Sequence, residues 1–384
     1  MSMYPALDPI TVEVIGAALS SIVEETGEAL VRASYSTNIK ERRDCSTALF
    51  DREGRTLCQA EHIPVHLGSF LDFIPMVLAG HDAAGLRPGD VFIGNDAYRG
   101  GGTHLPDIVL AEPIFVDGTL SAWTVNLAHH SDFVDRAHAH IYQEGLRIPP
   151  IRLYRAGELQ SDVQELILLN CQVPRERLSD LRAQMAANRL GVARMQALSA
   201  KYGTETVLAA GAALLDYAER KMRAGIAAIP DGVWRFEDVH DSPEIDGELP
   251  LSIELEVKGD TMRLHFDGPD QVRAGINMTY TALLATVYYA VKTVVDPTIL
   301  PNAGLARPLT VTGRVVMIAC AVLENMSGEK ARRRSPSVMR PSRRLVPSSV
   351  TTTQPRWPSA ILMTTWPSNS CGATAGTVSL NSSV

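Results

Sequence analysis

Two apolar runs of strand character, residues 107–115 and 119–128, are separated by little more than Asp117-Gly118. That pair suits the two positive-φ positions of a type I′ turn, so the chain is committed there to two antiparallel neighbours. Register follows from the turn. With Asp117 and Gly118 as the loop, Val116 pairs with Thr119 and His129 falls across from Pro106. Side chains alternate between faces of a strand, so this one turn decides which of its residues share a side.

Around the hairpin the periods are mixed. Asp8-Pro9 opens a helix as N-cap and first residue, and Ile10, Val12, Ile15, Ala18, Leu19, Ile22 and Val23 repeat at helical spacing to about Ser34. Residues 47–51 and 55–59 read as strands around Arg52-Glu53-Gly54, residues 67–84 as a helix, and 91–94 as a strand. From 162 to about 225 the pattern is helical, with breaks near Pro174 and at Lys201-Tyr202-Gly203. A second hairpin, 251–257 with 262–266, turns at Lys258-Gly259-Asp260, and a last helix covers 279–295. This is no regular βαβ repeat. It predicts an α+β (mixed α/β) fold with irregular mixed sheets and a helical segment around 162–225. The expected regions are 1–160 (α/β, carrying the candidate site), 161–230 (helical), 231–313 (second hairpin and helix) and 314–384.

The last region stands apart. Residues 330–384 hold one Lys, seven Arg and no Asp or Glu, a net +8 against −7 for the whole chain, which leaves the first 329 residues at −15. The stretch is rich in Ser, Thr and Pro and shows no periodicity, as a basic disordered extension would. It reads either as an interaction arm or as a slipped reading frame after about Gly313, and the abrupt change in mid-element favours the slip. The acidic remainder argues against a protein built to grip nucleic acid or anionic membrane. No stretch reaches the roughly 18 apolar residues of a membrane span, and the N-terminus lacks the pattern of a secretory signal. Five cysteines without CxxC spacing fit a reduced, cytoplasmic protein.

Eight of the ten histidines lie between His62 and His140. The hairpin brings His129 across from the His104-Leu105-Pro106-Asp107 segment, so His104, Asp107 and His129 converge at its open end. In a strict strand Asp107 would face away from His129, so the trio needs 104–107 to be a turn; His130 is the substitute if the register moves by one. Two imidazoles and a carboxylate can hold a divalent metal (Mn, Zn or Fe) with open positions, or they can be hydrogen-bonded structural residues at a sheet end. Arg99, Gly101, Gly102 and Thr103 form a glycine loop able to meet a phosphate, although it is neither a P-loop nor GxGxxG. His62 and His66 weaken as a pair because Pro64 breaks the helix their spacing would need. His138-Ala139-His140 reads as exposed loop, and Cys45 and Cys58 as core. Arg182, Asn188 and Arg189 read by default as a solvated helix face.

Four segments together resemble the hydantoinase B/5-oxoprolinase family: Asn95-Asp-Ala-Tyr-Arg-Gly-Gly-Gly-Thr-His-Leu-Pro-Asp107, Ala128-His-His-Ser-Asp132, Tyr142-Gln-Glu-Gly-Leu-Arg-Ile-Pro-Pro150, and Leu178-Ser-Asp-Leu-Arg-Ala-Gln-Met-Ala-Ala-Asn188. The likeness runs from about Asp8 to Pro308. It implies one subunit of a two-component machine, in which an A-type ATPase partner uses ATP to phosphorylate a small cyclic amide and the B-type chain completes ring opening. In the related acetone and acetophenone carboxylases the completing step is carboxylation, so a carboxylase subunit and a non-catalytic binding subunit are the alternatives. The resemblance also implies a divalent metal held by His104, Asp107 and His129. The sequence departs from the family pattern after Ser131, where a bulkier stretch replaces glycines, and after about Gly313.

Overall fold

A computed structural model describes residues 7–60, 63, 66, 68–99, 101–130, 141, 144–240, 247–270 and 277–313. The basic tail, His62, Ser131-Asp132, His138, His140 and the Arg99 side chain lie outside the described residues.

Helix α1 (Pro9–Ala33) begins as expected, with the Asp8 carboxylate accepting the Thr11 N–H at 2.9 Å and Pro9 at the first position. It buries Ile15, Leu19, Ile22, Val23 and Leu30. A single turn, α2 (Thr37–Lys40), leads to the hairpin β1 (Cys45–Asp51) and β2 (Thr56–Gln59). Helix α3 (Phe73–Gly80) is much shorter than the apolar run 67–84 suggested. Pro75 is tolerated only in a first turn. Upstream, Gly68 lies so close to the Ala285 backbone that a β-carbon would meet its Cα at 2.8 Å, so that stretch is shaped by packing rather than helix propensity.

Strands β3 (Val91–Gly94), β4 (Asp107–Val116), β5 (Thr119–His129), β6 (Ile151–Arg155) and β7 (Glu158–Leu159) complete a seven-stranded antiparallel sheet in the order β2-β1-β5-β4-β3-β6-β7. Asp117 and Gly118 take φ of 50° and 77°, as a type I′ turn requires. The register, however, departs from the expected one. Val116 pairs with Thr119 and Phe115 with Leu120, but Ile114 pairs with Ala122, so Ser121 is an extra residue and Asp107, not Pro106, stands opposite His129. The bulge lets Ile114 and Ala122 share the core under α1 while Phe115 and Leu120 pack on the α3 side.

Helices α4 (Ser161–Leu169), α5 (Pro174–Tyr202) and α6 (Thr204–Ala227) break at Pro174 and at Gly203, whose φ is 85°. One face of the sheet packs Val109, Ala111, Trp123, Val125 and Leu127 against Phe70, Phe73, Ile74 and Val77. The other face packs Ile108 and Leu110 against Leu181 and Met185 of α5. Beyond α6, β8 (Gly232–His240), β9 (Leu249–Lys258), β10 (Thr261–Asp267) and β11 (Leu309–Gly313) form a second sheet in the order β11-β10-β9-β8. Its last pair is parallel, and helix α7 (Tyr280–Val295) lies in the connection between β10 and β11. The fold is therefore mixed α+β, as expected. Among the described residues no helix is long and apolar enough to cross a membrane.

Candidate metal centre

Asp107 is the first residue of β4 and His129 the last of β5, and the ladder pairs them directly. Both therefore project to the α3 side of the sheet, the side of Val109 and Leu127. His104 sits in the turn that enters β4, which the Asp107 N–H closes onto the His104 carbonyl at 3.1 Å. The His130 N–H then ties Pro106 O to the end of β5 at 2.9 Å. His104 Nε2 lies 3.6 Å from Asp107 Oδ1, and the His104 and His129 ring centroids are 4.9 Å apart. The expected trio is thus brought together.

Asp107 is buried, and its two oxygens differ. Oδ2 accepts the Thr103 N–H at 3.0 Å and the Thr103 hydroxyl at 2.8 Å. Oδ1 is buried and makes no hydrogen bond, since 3.6 Å to His104 is too long for one. Burial works to raise the carboxyl's pKa, but His104, His66, His129 and the Thr103 N–H more than offset it and hold it at about 2. An ionised carboxylate with one bare oxygen beside two imidazoles is the donor chemistry a divalent cation takes. Among the described residues no three such side chains yet stand close enough together to enclose an ion, so the trio converges without closing.

His129 is fixed from two further directions. Its Nδ1 lies 3.0 Å from Asn38 Nδ2 of α2, and its N–H donates to Asp44 O at 2.9 Å. Turning the Asn38 amide over exchanges donor for acceptor, so the contact serves either tautomer. Two site residues escaped the sequence reading. Asp44 precedes β1, and its carboxylate faces His66, with Oδ1 3.8 Å from Nε2. His66, weighed in the sequence only as a partner of His62, is buried beneath the site. Its approach depends on the β1–β5 pairing, which no local spacing announces.

The glycine loop, expected to meet a phosphate, packs closely around Asp107. Gly102 takes φ +92°, and a β-carbon there would meet Asp107 Cβ at 2.6 Å; one on Gly101 would meet Asp96 N at 2.8 Å. Thr103 spends both its donors on Asp107. These residues wall the carboxylate closely. His130 is no substitute for His129: the one-residue shift in register came in the sense that joins Asp107 to His129, and His130 points through the other face to Gln184 Oε1 at 2.8 Å. Burial pushes the Cys45 and Cys58 thiols up to about 12, consistent with core residues rather than nucleophiles.

The sequence profile described as hydantoinase B/oxoprolinase matches residues 8–323. The chain belongs to the hydantoinase B/oxoprolinase family. The caprolactamase subunit beta of Pseudomonas jessenii is 33% identical over 314 residues, 79% of this chain and 54% of that one. The crystal structure of the ATP-dependent caprolactamase from the same organism superposes with a TM-score of 0.75 at 31% identity, covering 84% of this chain and 57% of its own. A nucleotide-free acetone carboxylase shares the fold, with a TM-score of 0.71 at 18% identity over 79% of this chain and 43% of its own. The chain spans about half the length of the curated relatives it matches.

In this family member the quoted segments meet in space. Buried Asn95 donates to Leu105 O at 2.7 Å and Leu146 O at 2.9 Å and accepts from Ile148 N at 2.6 Å, pinning the His104 turn to the Glu144–Ile148 stretch. Glu144 Oε2 accepts the Leu105 N–H at 3.1 Å, and Arg147 pairs with Asp96 at 2.8 Å. The fourth segment, on α5, supplies Gln184 and Asn188. Gln184 donates to Ile108 O and Asn126 Oδ1, each at 2.8 Å, and Asn188 to Leu110 O at 3.2 Å. Asn188 thus reaches the sheet, while Arg182 and Arg189 remain exposed.

Proposed function

We propose that the chain is the B subunit of an ATP-dependent cyclic-amide hydrolase, opening a hydantoin- or oxoproline-like ring after an A-type ATPase subunit has phosphorylated the amide oxygen. The observation that carries this reading is the convergence of His104, Asp107 and His129 at one end of the β4–β5 hairpin. Family membership and the likeness to a caprolactamase subunit support it.

An amide carbonyl is a poor electrophile because nitrogen donates into it; phosphorylating the oxygen leaves an imidate-type carbon to which water adds, the C–N bond then breaks as the nitrogen takes a proton, and a second water releases phosphate from the resulting acyl phosphate to give the ring-opened acid. His104, Asp107 and His129 would hold a divalent cation (Mn, Zn or Fe), which would supply Lewis acidity at this end of the hairpin. The chain's own residues prepare that site. Thr103 fixes one oxygen of Asp107 and leaves the other bare. Asn38 and the Asp44 carbonyl set the pose of His129. Asn95 holds the His104 turn against the sheet end.

With the A-type subunit present, His104→Ala and Asp107→Asn are expected to abolish both bound metal and ATP-coupled ring opening of 5-oxoproline or hydantoin. Turnover at the unsubstituted rate would overturn the assignment. A carboxylated product in place of the ring-opened acid would identify a carboxylase subunit.

A further inference from the structure

We propose that β8 pairs edge to edge with β8 of a second copy of this chain, antiparallel about a two-fold axis at Phe236, joining two four-stranded sheets into one. The proposal goes beyond the subunit reading above and uses none of its residues.

β8 ends the order β11-β10-β9-β8, so among the described residues no strand pairs with its far side. Long open edges are commonly blunted by a lysine, a proline or a bulge, because their unpaired backbone groups are a template for another chain. β8 has none of the three. It reads Gly-Val-Trp-Arg-Phe-Glu-Asp-Val-His, and all 9 residues keep an unbroken register with β9. Its outward groups can be told from its inward ones. The Val239 N–H is taken by the Asp238 carboxylate at 2.8 Å and not by β9, so the odd-numbered residues turn N–H and C=O to the open side.

The side chains divide by face. Gly232, Trp234 and Phe236 stand opposite Val257, Leu255 and Ile253 on the core side, where the two aromatic rings are only half-buried. Val233, Arg235, Glu237 and Val239 share the outer face, and the valines are 55% and 52% exposed. A strand can join its own copy only where its sequence complements its own reversal. About Phe236 this one does. Val233 of one copy meets Val239 of the other, Arg235 meets Glu237, and the Phe236 rings meet at the axis. Apolar pairs and unlike charges directly opposite are the favourable cross-strand partners. Moving the axis by one residue would set Arg235 against Arg235 or Glu237 against Glu237, so charge selects the register. Asp238 then yields the Val239 N–H to the Val233 carbonyl of the other copy.

Sedimentation equilibrium of the full chain at low ionic strength tests the pairing. A Glu254→Gln background serves throughout, since Arg235 pairs with Glu254 at 2.8 Å within the chain. The parent should dimerise. Adding Glu237→Arg opposes like charges at two places and should raise the dimer dissociation constant about tenfold or more. Adding Arg235→Glu to that variant restores unlike pairs and should return the constant to within a few-fold of the parent, with matched circular dichroism. A parent that stays monomeric at about 100 µM leaves the edge to some other occupant, such as an A-type subunit, and overturns the proposal. A dimer unmoved by Glu237→Arg belongs to another surface and overturns it too. Failure of the doubly exchanged variant to recover would overturn the axis at Phe236.

Discussion

Glu112 lies on β4 opposite Thr124, buried, with Oε2 making no hydrogen bond. Burial raises its carboxyl from an ordinary 4.5 to about 7, against the pull of Arg189. In the unfolded chain the group ionises near 4.5, while the folded protein keeps its proton until about 7. The folded state therefore binds the extra proton in that window, and stability falls as pH rises through it, by about 3 kcal/mol. Urea midpoints at pH 5 and pH 8 should differ accordingly, and Glu112→Gln should flatten the difference by stabilising the pH 8 protein. At this scale the trio His104, Asp107 and His129 was legible because a two-residue turn makes a ruler and because the surrounding motif is distinctive. Asp44 and His66 were not, since their place depends on β1 lying beside β5, a pairing that joins residues some eighty positions apart. Gly101 and Gly102 stand out in the sequence for the close backbone approach they permit, and Thr103 as a group able to meet a phosphate. What the sequence could not tell is that the close approach serves Asp107.

Helix α5 shows why a helical period can be right while its face is misjudged. Reading for apolar repeats selects Leu178, Leu181, Met185 and Met195, yet the helix also buries Arg177, Asp180, Gln184 and Asn188. Gln184 and Asn188 turn toward carbonyls and side chains of the sheet, Asp180 accepts the Tyr35 and Ser36 N–H groups at 2.7 and 3.2 Å, and nothing local distinguishes these residues from a solvated stripe. Asn126 donates to Gln184 O at 2.9 Å and to Asn188 Oδ1 at 2.7 Å, while Gln184 returns a bond to Asn126 and accepts from His130. Replacing Gln184 with Leu strands the His130 donor and one Asn126 acceptor in the core, at about 1–3 kcal/mol for each group left unpaired. Chemical denaturation of Gln184→Leu, Asn126→Leu and the double variant should show the double costing clearly less than the sum of the singles, because the second change removes groups the first has stranded. The strands that escaped notice, β6, β7, β8 and β11, share the same cause. Each is defined by its neighbour, and β11 pairs in parallel with a strand some forty-five residues earlier.

Across the whole molecule α6 is the strut between the two sheets. Its Val207, Ala210 and Leu214 pack with α1 and the seven-stranded sheet, and its Ala218, Met222 and Ile226 pack with α7 and the four-stranded one. The segment before β11 clasps it. Ala303 donates to Thr56 O of β2 at 2.9 Å, Asn302 reaches Leu214 O at 3.4 Å, and Arg307 pairs with Asp216 and Glu219 of α6 at 2.7 and 2.8 Å. Gly304 lies where a β-carbon would run into the Leu215 carbonyl. Backbone cannot yield as a flexible side chain does, so Gly304→Ala should cost about 3 kcal/mol or more and loosen the clasp. A single denaturation transition in the parent should move to lower denaturant and separate into two in the variant.

The additional residue at Ser121 has a consequence for this architecture out of proportion to its size. Strand geometry has a parity of two, and one inserted position reverses the phase of everything beyond it. Were Ser121 paired in regular register instead of bulged out, Pro106 would stand opposite His129 and Asp107 opposite Ala128, with carboxylate and imidazole on opposite sides of the sheet. Along this ladder, the chemistry available to the protein is set by whether a count of residues comes out odd or even.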